Sequence, residues 1–299
     1  MLITIQNKHI ALTVDTLGAQ MMSIRAADGC EYLWQGDPEY WSDRSPTLFP
    51  FIGRLLDKRY LLHGKDYPMN IHGFAAELEF FPEEQAGDKL VLSLSSSIAT
   101  LVRYPFDFTL EITYQLKDRT VEVASRVRNQ SRETMPFSLG GHPGFRVPLG
   151  DKERFEDYYL EFSECCAPER ILFSPSTILV SGERPFTALE EGKRLSLTHS
   201  LFDEDAIILK HAAREVSLRS HTSARSVTVS YPDMAYIGFW HWPRKDAPYV
   251  CIEPWTSLPG RDGITEEITC RSDLIHLAPG GTYENIWTIT ITQEVEAND

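Results

Sequence analysis

The chain of 299 residues carries 43 acidic and 29 basic side chains, which gives a formal net charge of -14, and 42% of its residues are hydrophobic. This composition is typical of a folded globular protein and excludes a disordered or fibrous chain. The acidic balance argues against nucleic acid as a partner, because proteins that bind a phosphate backbone present a basic face. It also argues weakly against anionic membranes, and no apolar run approaches the roughly 18 residues of a spanning helix.

The N-terminal segment "MLITIQNKHIALTV" lacks a basic region followed by a long apolar stretch, so no signal peptide is predicted. The five cysteines, at positions 30, 165, 166, 251 and 270, form no CxxC pair. Their odd number and their spacing fit neither a disulfide framework nor a zinc finger. Reduced thiols are the simplest interpretation, and they predict a cytoplasmic protein. The sequence does not distinguish a monomer from a homodimer.

Along much of the chain, apolar and polar side chains alternate with a period of two residues. In "FTLEITYQL", residues 108–116, apolar side chains alternate with polar ones, and "KDR" then supplies a turn before Val121 and Val123 continue the pattern. "KLVLSLSSS", "SVTVSY" and "NIWTITIT" behave in the same way. This pattern predicts half-buried antiparallel strands, and the β-branched and aromatic content agrees with it.

Helical periodicity is weak. Only the segment near Glu190 and the segment 200–209 could form a turn or two of helix, and neither sustains an i, i+3, i+4 pattern over three turns. We therefore predict an all-β fold, a large antiparallel β-sandwich that forms a single domain over residues 1–299. Glycines and prolines are spread as turn residues and mark no linker.

Four stretches interrupt the alternation, and each places one ionisable residue among apolar or glycine neighbours. They are "LFPFIGRL" with Arg54, "NIHGFA" with His72, "SLGGHPGF" with His142 and "VCIEPW" with Glu253. Buried charges are normally paired, so these four residues could converge on one another. Each has an ordinary structural interpretation as well: a histidine beside glycine is more often a turn residue than a catalyst, and a glutamate before proline often ends a strand.

Other kinds of site have less support. A zinc site made of His72, His142 and Glu253 is formally compatible with a β scaffold, although HExxH is absent. "LGGHPGFRVPLG" is rich in glycine but lacks the GK[ST] ending and the following helix of a phosphate-binding loop. GxSxG is absent too, so no serine-hydrolase elbow is predicted.

Six elements, taken together and in order, resemble the aldose 1-epimerase (galactose mutarotase) superfamily and in particular its LacX-like branch. They are "GAQMMSI", "EYLWQGDPEYW", "LFPFIGRL", "IHGFA", "GGHPGF" and "CIEPW". The resemblance runs from about residue 10 to the final strand. It implies a large antiparallel β-sandwich, which agrees with the fold predicted from periodicity, and it implies no metal or organic cofactor.

The resemblance also implies roles for individual residues. Glu253 corresponds to the catalytic base and His142 to the catalytic acid, and His72 completes the catalytic set. Arg54 and an aspartate, which we identify as Asp205, correspond to substrate-binding residues. Such an enzyme opens a pyranose ring and recloses it on the other face of C1, so one group must take the C1 hydroxyl proton and another must protonate the ring oxygen.

The tryptophans could offer flat apolar faces to a sugar. Core packing is the favoured interpretation for Trp34, Trp41, Trp240 and Trp242, whereas Trp255 beside Glu253 is predicted to bind substrate. The chain departs from typical galactose mutarotases where Gly53 replaces an asparagine and where Trp255 replaces a polar residue. The resemblance therefore implies the reaction and leaves the sugar undefined.

Three further functions remain as alternatives to an aldose 1-epimerase. A hexose-6-phosphate 1-epimerase would need Arg54 to be joined by other basic residues, with Arg44, Arg59 and Arg146 as candidates. A non-catalytic sugar-binding or sensor protein would have no use for an acid–base pair. A glycoside hydrolase would need two carboxylates that flank one bond, and only Glu253 stands out in the sequence.

Overall fold

A computed structural model describes residues 1–293, and β-strands are its main secondary structure. The described part contains one α-helix, α1 (Ile98–Leu101), and short 3-10 helices at Leu56–Lys58, Ala75–Glu77, Phe155–Asp157, His199–Phe202 and Ile268–Cys270. The strands in chain order are β1 (Leu2–Gln6), β2 (Ile10–Asp15), β3 (Gln20–Ala26), β4 (Thr47–Leu48), β5 (Arg59–Leu62), β6 (Lys65–Pro68), β7 (Phe81–Ala86), β8 (Lys89–Ser95), β9 (Phe108–Lys117), β10 (Thr120–Asn129), β11 (Met135–Phe137), β12 (Gly140–Gly141), β13 (Gly144–Arg146), β14 (Tyr158–Phe162), β15 (Glu169–Phe173), β16 (Val180–Pro185), β17 (Arg194–Ser196), β18 (Ile207–Lys210), β19 (Glu215–Ser220), β20 (Ser226–Ser230), β21 (Tyr236–Trp240), β22 (Tyr249–Trp255), β23 (Ile275–Leu277) and β24 (Thr282–Thr292).

Two large antiparallel sheets dominate the fold. One has nine strands in the order β17-β14-β19-β20-β24-β10-β9-β8-β7. The other follows β16-β15-β18-β21-β22-β12-β4, with β13 also paired to β22. Leu110 of the first sheet and Ile252 of the second belong to the same buried apolar cluster. The predicted all-β antiparallel sandwich is confirmed.

The alternation predicted from sequence matches the burial of the strands. On β9 the side chains of Phe108, Leu110, Ile112, Tyr114 and Leu116 are all buried, and the residues between them are partly exposed. Burial of one face of each strand against the opposite sheet is the main source of stability in such a fold. The same rule explains β10 and β24.

The two segments with weak helical signal differ in outcome. The predicted turn of helix near Glu190 is wrong, because a tight turn there leads into β17, where Leu195 is buried against the core. The 200–209 segment does begin with a 3-10 turn, His199–Phe202, before β18 starts at Ile207. Residues 203–206 between them form a loop that reaches the site described below.

The single domain over residues 1–299 stays a prediction, and residues 294–299 lie outside the described part of the chain. All five cysteines are free thiols. Within residues 1–293, no helix has the length and apolar character needed to cross a bilayer.

Candidate active site

All six residues singled out as a site line one cavity of about 270 Å³. They are His72, His142, Glu253, Arg54, Asp205 and Trp255. The cavity lies on the face of β22 that points away from the main core, since Glu253 alternates with Ile252, which is part of that core. The geometry therefore brings the predicted residues together, while their chemical roles stay predictions.

Strand pairing aligns His142 with Glu253. Gly140 pairs with Trp255, and Gly144 pairs with Cys251. His142, midway between the two glycines, therefore lies across from Glu253, which is midway between their partners on β22. On the other side of β22, Glu253 pairs with Gly238, where a Cβ atom would come within 3.3 Å of the glutamate's own Cβ. A glycine at that position leaves room for the carboxylate to project into the cavity.

His142 and Glu253 are close but poorly aligned. Their Nε2 and Oε2 atoms are 3.2 Å apart, and the two residues are 8% and 1% exposed. Oε2 of Glu253 nevertheless has no partner with hydrogen-bond geometry among the described residues, and neither does Nδ1 of His142. Catalytic hydrogen bonds are often poorly aligned before substrate binds, so this distance is compatible with an acid–base pair.

Burial shifts the pKa values of Glu253 and His142 in opposite directions. Desolvation raises the pKa of the Glu253 carboxyl well above its ordinary value, and the charge of Asp205 raises it further, while the indole N–H of Trp255 partly opposes the rise. Desolvation lowers the pKa of His142 to about 4. Burial thus disfavours the carboxylate anion and the imidazolium cation, so a proton held by the pair is favoured on Glu253 in the absence of substrate, and the titration belongs to both residues together.

His72 is held in one tautomer by the backbone. The N–H of Gly53 donates to Nδ1 of His72 at 3.1 Å, and the N–H of His72 donates to the carbonyl of Gly53 at 2.9 Å. Desolvation lowers the pKa of His72 well below its ordinary value, with smaller contributions from His142 and Arg54. A neutral imidazole whose Nδ1 accepts must carry its hydrogen on Nε2, so His72 offers a hydrogen-bond donor from that nitrogen.

Gly73 allows the backbone turn that holds His72, and its replacement should lower the free energy of unfolding. Its φ is +83°, and a Cβ atom would lie 2.1 Å from the carbonyl oxygen of Phe49. Gly64 has a similar φ of +75° but open space around it. We expect Gly64→Ala to lower the free energy of unfolding by about 1 kcal/mol through backbone strain alone. Gly73→Ala should cost about 3 kcal/mol or more, because steric overlap adds to that strain.

Urea denaturation of both alanine variants measures this difference. Equal midpoints for the two variants would show that the contact with Phe49 does not constrain the turn.

Arg54 and Asp205 face each other across the cavity wall. Nη1 of Arg54 is 3.8 Å from Oδ2 of Asp205, and the arginine side chain is half exposed. Asp205 has a φ of +81° in the loop that follows the 3-10 turn His199–Phe202. Together they present a donor and an acceptor to the cavity, as hydroxyl groups of a sugar require.

Tryptophans form much of the remaining wall. Trp41, Trp240 and Trp242 line the cavity. Trp41 and Trp240 also pack against the buried cluster that contains Trp34 and Tyr249, whereas Trp242 is 42% exposed, so core packing was the wrong expectation for Trp242 alone. Trp34 is buried and stacks on Tyr249, with ring centroids 4.7 Å apart, as expected of a core residue. Nε1 of Trp255 is buried and, within residues 1–293, has no acceptor with full hydrogen-bond geometry, but it lies close enough to Glu253 to lower the pKa of that carboxyl.

Sequence reasoning missed two polar residues near the acid–base pair. Asp43 lines the cavity, and desolvation raises its pKa. Cys251 lies behind the pair, and its sulfur, a nitrogen of His142 and an oxygen of Glu253 all lie within 4.8 Å of one another. In the described chain, the cluster that could hold a metal thus contains Cys251 where the sequence suggested His72. The alternation of side chains along a strand could have indicated that Cys251 and Glu253 lie on the same face, because they are two residues apart on β22.

The arginines suggested as a phosphate cluster lie elsewhere. Arg44 donates to the carbonyl of Met22 and to Gln35, Arg59 pairs with Asp66, and Arg146 donates to the carbonyl of Glu31. None of the three lines the cavity. Their backbone positions near the predicted motifs did not indicate where their side chains point.

Known proteins resemble this chain over most of its length. The aldose 1-epimerase family model matches residues 1–267. The chromosomal LacX protein of Lactococcus lactis subsp. lactis is 35% identical over 268 residues, which are 86% of this chain and 88% of that protein.

Two solved structures share both the fold and part of the sequence. A galactose mutarotase related enzyme from Lactobacillus acidophilus is 30% identical, with a TM-score of 0.94 over 99% of each chain. A galactose mutarotase-like protein from Lactobacillus casei ATCC 334 is also 30% identical, with a TM-score of 0.92 over 98% of this chain and 100% of the other. These similarities confirm the resemblance predicted from the six sequence elements: the chain belongs to the aldose 1-epimerase family.

Proposed function

We propose that the protein is an isomerase that interconverts the α and β anomers of an aldose, in the manner of an aldose 1-epimerase. The observation that carries this proposal is the buried pair of His142 and Glu253, 3.2 Å apart at the wall of a cavity. Two titratable groups whose environments shift their pKa values in opposite directions are typical of acid–base partners. The sugar is the partner, no metal or organic cofactor takes part, and the protein acts in the cytoplasm as a monomer or homodimer.

The proposed reaction moves one proton off the sugar and one proton onto it. The reacting form of the pair has its proton on His142 and none on Glu253: Glu253 takes the proton of the C1 hydroxyl while His142 protonates the ring oxygen, and the C1–ring oxygen bond breaks to give the open aldehyde. Rotation about C1–C2 and reversal of both transfers recloses the ring with the opposite configuration. Because the pair starts and ends with the same single proton, no co-reactant is needed.

The surrounding residues would hold the sugar for these transfers. His72 donates from Nε2 to an oxygen of the ring, and Arg54 and Asp205 bind hydroxyl groups. The indole faces of Trp41 and Trp240 suit the apolar C–H face of a pyranose and keep bulk water away from the acid–base pair. Exclusion of water strengthens the electrostatic interactions within such a site.

Polarimetry tests the proposed function. Freshly dissolved crystalline α-anomers of glucose, galactose and other aldoses should reach anomeric equilibrium faster with the protein than in buffer alone, in proportion to its concentration. A sugar that binds at micromolar affinity without any acceleration would overturn the proposal and favour a non-catalytic sugar-binding protein. Activity that a chelator abolishes would contradict the metal-free chemistry.

A further inference from the structure

Two histidines outside the cavity are joined to each other. Nδ1 of His199 lies 3.2 Å from Nε2 of His241. His199 begins the 3-10 turn His199–Phe202, and His241 directly follows β21. In the described part of the chain, neither histidine lines the cavity that holds the acid–base pair. No step of the proposed reaction uses them, so their contact needs another explanation.

Both imidazole rings pack against the main apolar core. His241 is fully buried, with its ring centroid 4.4 Å from that of Phe202, and Phe155 stacks on the half-buried His199 with ring centroids 4.0 Å apart. Phe155 and Phe202 both belong to the core cluster. Trp240, the neighbour of His241, lines the cavity instead. Because adjacent side chains of an extended segment point to opposite faces, the histidine pair lies behind the cavity wall.

The hydrogen bonds of the pair run in one direction. Nδ1 of His241 lies 2.8 Å from the carbonyl oxygen of Trp242, which can only accept, so Nδ1 carries the hydrogen. Desolvation lowers the pKa of His241 to about 4, so its ring is neutral at neutral pH. A neutral imidazole with its hydrogen on Nδ1 accepts at Nε2. Nδ1 of His199 is therefore the donor in the bond between the two rings.

His241 fixes the backbone of Trp242, a residue of the cavity wall. After β21 ends at Trp240, the polar backbone groups of Trp242 bond to side chains: its N–H donates to the hydroxyl of Tyr249 at 3.1 Å, and its carbonyl accepts from His241. Trp242 lines the cavity but is 42% exposed. An indole this exposed is held by less packing than a buried one, so its position depends on these backbone hydrogen bonds.

The loop that carries Asp205 is attached at both ends to the same stretch of chain. At its far end, Ile207 pairs with Phe239 of β21. At its near end, the N–H of Asp205 donates to the carbonyl of Phe202 at 3.0 Å, which joins the loop to the turn that begins at His199. The bond between the two imidazole rings completes the second attachment, since it ties this turn to the residue that follows β21.

We propose that His199 and His241 are positioning residues for sugar binding, and that their hydrogen bond fixes Asp205 and Trp242 relative to each other on the cavity wall. Asp205 offers an acceptor to a hydroxyl group, and Trp242 offers an apolar face to the ring. Neither contact involves the reacting atoms, so loss of the bond weakens binding of the sugar and leaves the acid–base step intact. This inference rests on the proposed function for the identity of the ligand as a sugar.

Two replacements of His199 separate its hydrogen bond from its packing. His199→Leu removes the donor, whereas His199→Asn retains one, because the amide nitrogen of asparagine stands at the same distance along the side chain as Nδ1. We expect His199→Leu to raise KM for the α-anomers of glucose or galactose by about 3-fold to 10-fold, which is the equivalent of one hydrogen bond. Its kcat should stay within about twofold of the wild-type value, as expected when uniform binding is lost. His199→Asn should keep the wild-type KM.

The matched control is His221→Leu. His221 also stacks on an aromatic ring, with its centroid 4.6 Å from that of Tyr159, and it does not line the cavity. This variant should leave KM unchanged in polarimetry, and circular dichroism verifies that all three variants are folded. Equal KM values for His199→Leu and His199→Asn, or a fall in kcat at unchanged KM in His199→Leu, would overturn the positioning role.

Two NMR measurements need no sugar and therefore keep this inference separate from the proposed reaction. Nitrogen-15 spectra of the imidazole rings should show His241 protonated on Nδ1 and unprotonated on Nε2, and the opposite tautomer would overturn the pair. In protein labelled with 5-fluorotryptophan, the fluorine resonance of Trp242, assigned with Trp242→Phe, should shift in His199→Leu and stay in place in His199→Asn. An unshifted resonance in His199→Leu would overturn the inference even if a sugar is epimerised, whereas both expected results would support it even if none is.

Discussion

Glu253→Gln is expected to lower kcat/KM for anomer interconversion by about 10²-fold to 10⁴-fold, the usual contribution of a positioned acid or base. Glutamine has the same shape but cannot accept a proton from the C1 hydroxyl. Glu253 is 1% exposed, and no cation in the described residues 1–293 contributes to the pKa of its carboxyl, while the neighbouring His142 has a lowered pKa. Replacement by a neutral amide should therefore leave the free energy of unfolding unchanged or slightly raised.

Glu266→Gln is the matched control, because Glu266 is equally buried but structurally paired. Its carboxylate accepts from the backbone N–H of Arg261 at 3.0 Å and from the guanidinium at 2.8 Å and 3.0 Å, and these contacts lower its pKa. We expect Glu266→Gln to lower the free energy of unfolding by about 1–3 kcal/mol, since a charged hydrogen-bonded partner is lost, and to leave kcat/KM unchanged.

Polarimetry and urea denaturation of the two variants should thus give opposite results. A fully active Glu253→Gln variant would remove the proposed base. A Glu253→Gln variant that is less stable but has an unchanged kcat/KM would show that Glu253 has a structural role only.

The sandwich was predictable because its cause is local. Alternation along segments such as 108–116 encodes which side chains face the core, and burial fixes the register of each strand. The site is a different case, since His142 and Glu253 are more than 100 residues apart in sequence and meet only because β12 and β13 pair with β22. No local pattern specifies that pairing, and family resemblance supplied what periodicity could not.

The directions of individual arginine side chains were the least predictable feature. Arg44, Arg59 and Arg146 lie near the recognised motifs, yet each is bound to a backbone carbonyl or carboxylate elsewhere. Arg170 and Arg184 are neighbours because β15 pairs with β16 in a register that shifts between Leu172 and Phe173. Composition gives no sign of that register, so this pair of arginines could not be predicted from the sequence.

His142→Gln is expected to lower kcat/KM by about 10²-fold to 10⁴-fold as well, because the ring oxygen loses its proton donor. Combined with Glu253→Gln, it should add little further loss, since residues that act as a unit have strongly non-additive effects. His63→Gln serves as the control, because His63 is an exposed histidine that pairs with Glu133 and does not line the cavity of the acid–base pair. Rates additive in the double variant would show that the two groups act independently.

The pH dependence of kcat/KM provides a second readout for His142. The active form of the pair carries one proton, so activity should fall as pH drops through the His142 pKa of about 4, where a second proton binds. It should fall again at high pH, where the shared proton is lost and the raised pKa of Glu253 sets the limit. Polarimetry between pH 3.5 and pH 9, corrected for the spontaneous reaction and with circular dichroism to verify folding, measures both limbs. In His142→Gln the acid limb should move to the titration of Glu253 alone, and an unchanged limb near pH 4 would exclude His142 as the proton donor.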